Sequence, residues 1–104
     1  MNLSIPEKLE IREMEFTIST NDEEDGGWFS ISDKTIGIGT KSLSSNPTYT
    51  FMVICHEVSE IIHVLGGTRY DDYSSQDNYK FLMDHKEFEN HTALFSSIIK
   101  KFLQ

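Results

Sequence analysis

Between Asn46 and Gly67 the order of residues leaves the chain little choice but a helix. Asn46 offers a side-chain oxygen to the free N–H groups of a first turn. Pro47 suits the first helical position, where its missing N–H costs nothing. From there Phe51, Ile54, Val58, Ile61, Ile62 and Leu65 recur at helical spacing and make one apolar stripe. Gly66-Gly67 ends the pattern, as glycine does just past a helix C-terminus. A helix over 47–65 with one apolar face must be covered, and the rest of the chain has to supply the cover.

The segments before it read as strands over 11–41. Ile11–Thr20 alternates, with Met14, Phe16 and Ile18 on the apolar parity and Thr17, Ile18 and Thr20 favouring a pleated backbone. Residues 1–10, with Pro6 among them, read as a lead-in. Asn21-Asp22-Glu23-Glu24-Asp25-Gly26-Gly27 is an acidic turn. Its carboxylates could hold calcium but lack the alternating spacing of an EF-hand loop, so a solvated hairpin tip is expected. Trp28–Ile31 and Thr35–Thr40 flank Ser32-Asp33-Lys34 as two short strands. The second alternates isoleucine with glycine, which suits an edge strand with bulges or an edge that accepts an extended peptide.

After the helix, Thr68–Asn78 is polar and reads as a loop, and Tyr79–Met83 as a short strand or a helical turn. Asp84 is an N-cap for a last helix over 84–103, with Phe88, Leu94, Phe95, Ile98, Ile99 and Phe102 facing inward. The expectation is one α+β domain over residues 1–104, with a small antiparallel or mixed sheet of about three strands packed against two main helices. A core this small gains from a structural metal or a partner chain.

The net charge of −8 argues against nucleic acid and against an anionic membrane surface, both of which are held by Lys and Arg. A basic protein or an uncharged peptide remains open as a partner. No stretch reaches the roughly 20 apolar residues of a membrane span. The start of the chain lacks the pattern of a signal peptide, so the expected location is cytoplasmic. Cys55 is the single cysteine, which excludes an internal disulfide and a Cys-rich zinc finger. It reads as a small core residue.

The chemistry concentrates in Cys55-His56-Glu57-Val58-Ser59-Glu60-Ile61-Ile62-His63. On a helix His56 and Glu60 stand about 40° apart around the axis and one turn apart along it, so both can reach one ion. The zinc motif His-Glu-x-x-His uses the same geometry, and zinc accepts a carboxylate oxygen at nearly the distance of an imidazole nitrogen. Glu57, about 100° further round, is badly placed to share the ion and well placed to take a proton from a metal-bound water. The plain alternative is a polar helix face that holds no metal. A third ligand has to come from the last helix, which offers His85 in its first turn and His91 six residues on; His85 is favoured, because a neutral, metal-bound imidazole avoids the repulsion a charged one meets there. His63 lies roughly 10 Å along the axis from His56, too far to share an ion easily.

In layout the chain resembles a minimal zincin, similar to the compact zincin-like proteins encoded by bacteriophages and prophages. The likeness spans residues 11–102 and rests on Thr35-Ile36-Gly37-Ile38, on Ile54–Glu60 and on His85-Lys86-Glu87-Phe88. It implies zinc held by His56, Glu60 and His85, with Glu57 as general base of a metal-dependent, peptidase-type hydrolase acting on a peptide along Thr35–Thr40. The chain departs from most such peptidases at Glu60, where they carry His. An added negative charge makes zinc a weaker Lewis acid, so a non-catalytic, metal-stapled module that binds another protein is the alternative.

Overall fold

The computed structural model describes residues 1–71 and 79–104. Its main sheet has four strands rather than the three expected: β1 (Lys8–Ile11), β2 (Met14–Asn21), β3 (Gly27–Ser30) and β4 (Thr35–Gly39), in the order β1-β2-β4-β3. The extra strand comes from the supposed lead-in. Lys8–Ile11 pairs antiparallel with β2, with Leu9 opposite Phe16 and Ile11 opposite Met14. A two-residue turn joins them, in which Arg12 and Glu13 both have positive φ, 49° and 67°. That is the backbone a tight hairpin needs, made without its usual Asn or Gly. The turn switches parity, so Leu9 and Ile11 share the buried face with Phe16 and Ile18.

The first residues are tied down as well. Leu3 forms a bridge with Leu103, and Ser4 N–H donates to the Phe102 carbonyl at 2.8 Å.

β4 lies between its neighbours, parallel to β2 and antiparallel to β3. Thr35–Thr40 is therefore not an edge, and no peptide can add to it. Every residue of β4 after Thr35 is buried, as expected of a strand covered on both faces. Gly37 is required there because the Trp28 ring lies across it; a Cβ would fall 2.2 Å from that ring. Among the described residues, the open edge on this side of the sheet is β3. The acidic segment is likewise not a hairpin tip, because β2 and β3 do not pair. It crosses the end of β4 and is pinned to it: Gly39 N–H donates to the Gly26 carbonyl, and Asp25 accepts from the Ser42 N–H and hydroxyl at 3.0 and 2.7 Å.

Helix α1 (Pro47–Gly66) is capped by the Asn46 side chain and ends at Gly67, whose N–H turns back to the carbonyls of His63 and Val64. It lays Ile54, Val58, Ile61 and Ile62 on the inner face of the sheet, against Phe16, Ile18, Ile36 and Ile38. Part of the expected polar loop after it is strand: β5 (Arg69–Asp71) pairs antiparallel with β6 (Tyr79–Phe81). The remainder of that loop, 72–78, lies outside the described residues.

Helix α2 (His85–Ile99) begins with a capping box between Asp84 and Glu87 and runs into a 3₁₀ turn, Lys100–Phe102. Ile98 and Phe102 close the core. Phe88, expected to face inward, is 53% exposed, because only the second half of α2 turns its apolar side to the core. Among the described residues no helix is long and apolar enough to cross a membrane.

Phe16 is fully enclosed where sheet and helix meet. Phe16→Ala should lower the unfolding free energy by about 3–5 kcal/mol, much of the total of about 5–15 kcal/mol that such a domain has. Phe88→Ala should change it by no more than about 0.5 kcal/mol. Urea denaturation of the two variants checks both.

Candidate metal centre

The middle of α1 faces two ways. Its stripe of isoleucines is buried, and His56 and Glu60 line up along the flank beside it. His56 Nε2 lies 2.9 Å from Glu60 Oε2, with the imidazole largely exposed and the carboxylate mostly covered. One turn of helix separates the two Cα atoms, so helical spacing alone brings the side chains together.

Glu57 points toward the sheet and is only 5% exposed. It fits because β3 has a glycine opposite: a Cβ on Gly27 would come within 2.8 Å of Val53 Cγ1 and 3.0 Å of Glu57 Cγ. Glu57 Oε2 is enclosed and has no hydrogen-bond partner among the described residues. A buried acceptor left unsatisfied costs about 1–3 kcal/mol, more if it is charged. Burial pushes the Glu57 carboxyl above the ordinary carboxylate range; neighbouring Glu60 pushes the same way, while His56 and Arg69 pull it back. The carboxylate is thus a stronger base than an exposed glutamate.

One ligand atom each from His56, Glu57 and Glu60 falls within 4.8 Å of the others. Glu57, expected to stand apart from the ion, brings a carboxylate oxygen into this group because its side chain is long enough to span the rotation around the helix. An imidazole nitrogen and two carboxylates are donors that zinc and other divalent ions accept.

His85 is not in this group. It stands in the first turn of α2, 85% exposed, with Nδ1 3.3 Å from Glu89 Oε1. His91 is drawn toward α1 by other partners: its Nε2 lies 3.2 Å from Ser59 Oγ and its ring 4.1 Å from the ring of His63. His63 is buried, with Nδ1 2.7 Å from Thr68 Oγ1. The Thr68 hydroxyl also lies 3.4 Å from the His63 carbonyl, to which it donates; its oxygen then accepts from Nδ1–H. Cys55 is half-buried, and burial pushes its thiol up, away from reactivity.

Arg69 is the residue that the motif did not announce. It opens β5, in what reads as a polar loop, and its guanidinium carbon sits 3.6 Å from the Tyr79 ring centroid and 5.7 Å from that of Phe29. Its Nε lies 3.9 Å from Glu60 Oε1. The acid excess of His-Glu-x-x-Glu was the one hint that a cation should stand nearby.

Two clefts open beside the cluster. One, of about 290 Å³, is lined by Gly27, Tyr49, Met52, Val53, His56 and Glu57 and runs under the free edge of β3. The other, of about 240 Å³, is lined by His56, Ser59, Glu60, His63 and Phe81. His56 borders both. Comparison of the chain with protein-family models, with curated proteins and with solved structures finds no match, so the site has to be read from its own chemistry.

The histidine pair makes the α1–α2 contact sensitive to pH. Burial lowers the pKa of His63 and of His91 below the ordinary 6.5; for His63 the neighbouring His91 and Arg12 add to this, and for His91, Arg12 does. The fold favours neutral rings, so the unfolded chain takes up protons first. Stability from this pair is complete above pH about 6.5 and is lost as pH falls from there through the lowered values. Urea midpoints from pH 7.5 to 5.5 should fall less steeply in His91→Gln than in the unaltered chain.

Proposed function

We propose that the protein is a zincin-like, zinc-dependent hydrolase of the peptidase type, with His56 and Glu60 as metal ligands and Glu57 as general base. The observation that carries the reading is Glu57 Oε2, buried without a partner among the described residues, beside a His–Glu pair already within bonding reach of a single ion. A metal held there would polarise a carbonyl and acidify a water molecule. Glu57, with its pKa raised by burial, is suited to take the proton of the attacking water and return it to the leaving amine.

The substrate is a peptide in extended form. It would add to the free edge of β3 rather than to β4, with its side chains in the cleft of Tyr49, Met52 and Val53. His85, the third ligand implied by the resemblance, would have to leave Glu89 to serve.

A second reading draws on the convergence of all three side chains. With His85 apart, Glu57 could itself be the third ligand, and the metal would then staple a small core in a non-catalytic module that binds another protein.

Metal analysis and peptide hydrolysis of single variants separate the two. On the first reading the purified protein holds about one zinc. His56→Ala and Glu60→Ala lose it, and Glu57→Gln keeps it while hydrolysis falls by about a hundredfold or more. Loss of zinc in Glu57→Gln favours the staple, and hydrolysis that survives this change sinks the mechanism. The zinc content of His85→Ala reports whether that side chain takes part.

A further inference from the structure

Resting on the metal reading above, we infer that Arg69 is the positioning residue that offsets the extra negative charge brought to the site by Glu60. A metal held by two histidines keeps its full positive charge, whereas a carboxylate ligand cancels part of it. In this chain the carboxylate is accompanied. Glu60 meets His56 through Oε2 and faces Arg69 through Oε1, so one side chain joins the ligand pair to a fixed cation.

Three features separate Arg69 from an incidental surface ion pair. Its side chain is 17% exposed and that of Glu60 19%, so water screens the two charges poorly. The guanidinium is held against the face of Tyr79 and near Phe29, which fixes its position. Its Nε is buried and has no hydrogen-bond partner among the described residues. At 3.9 Å from Glu60 it acts through charge, since a hydrogen bond would need a shorter contact. A guanidinium also keeps its charge over the whole working pH range.

The charge has two consequences of opposite sign. A fixed cation near the site opposes the arrival of a divalent ion, so it weakens metal binding. The same cation favours any negative charge that develops at the metal, so it restores the acidity that the carboxylate removes. A residue that merely held Glu60 in place would instead strengthen metal binding.

The test uses cobalt(II) as the probe, with affinity read by calorimetry and the pH midpoint read from the visible spectrum of the bound ion, neither of which needs turnover. Arg69→Met should bind cobalt about tenfold more tightly and shift the spectral midpoint upward by about one pH unit. Arg69→Lys, which keeps the charge, should stay close to the unaltered protein in both. Tyr79→Leu, which loosens the clamp but leaves the arginine, should fall between them. Weaker or unchanged binding in Arg69→Met with an unmoved midpoint would overturn the inference and leave Arg69 as a clamp on Glu60. Failure of the unaltered protein to bind cobalt would overturn the metal reading itself, and the inference with it.

Discussion

The structure depends on how closely α1 lies against the sheet at Gly27. Without a side chain there, β3 comes close enough to roof Glu57, and one carboxylate oxygen, Oε2, is enclosed while Glu57 still lines the cleft beside it. The same close approach leaves Glu57 Oε2 without a hydrogen-bond partner among the described residues. Ile54, Val58, Ile61 and Ile62 hold the helix in place by burial, while His56 and Glu60 use the flank that this burial leaves accessible. Fold and candidate site are two sides of one helix.

Charge is arranged around that helix with some economy. Glu60 is bracketed by His56 and Arg69, and Glu57 stands between the influence of both. The neutral pair His63 and His91 occupies the next stretch toward α2, where burial and Arg12 keep protons away. Glu57, whose proton affinity burial raises, and His63 and His91, whose proton affinity burial lowers, stand along and beside the same stretch of α1. Such divergence of neighbouring titrating groups is characteristic of functional sites.

Much of this was legible in the residues. Asn46-Pro47 and Gly66-Gly67 mark the ends of α1, and the i, i+4 spacing of His56 and Glu60 delivers their contact, because both are local properties of a helix. Long-range pairing was less legible. The Arg12-Glu13 turn carries no Asn or Gly to signal positive φ, so β1 was hidden in a lead-in. The insertion of β4 between β2 and β3 is a topological choice that strand pattern does not encode, although Ile36-Gly37-Ile38-Gly39, without a polar residue, is what an interior strand looks like. Arg69 was invisible for the same reason: its place beside Glu60 depends on a hairpin after the helix and on the aromatic rings of Tyr79 and Phe29. Phe88 misled because helical spacing says which residues share a face, not how far along the helix that face stays covered.

Where a metal binds is the most direct test of the candidate site. Crystals grown with one equivalent of zinc and measured on both sides of the zinc absorption edge would give its position directly. A single anomalous peak is expected about 2.0–2.2 Å from His56 Nε2 and from a Glu60 oxygen. A peak at the His63–His91 pair instead, or none at all in a well-ordered crystal, would contradict it.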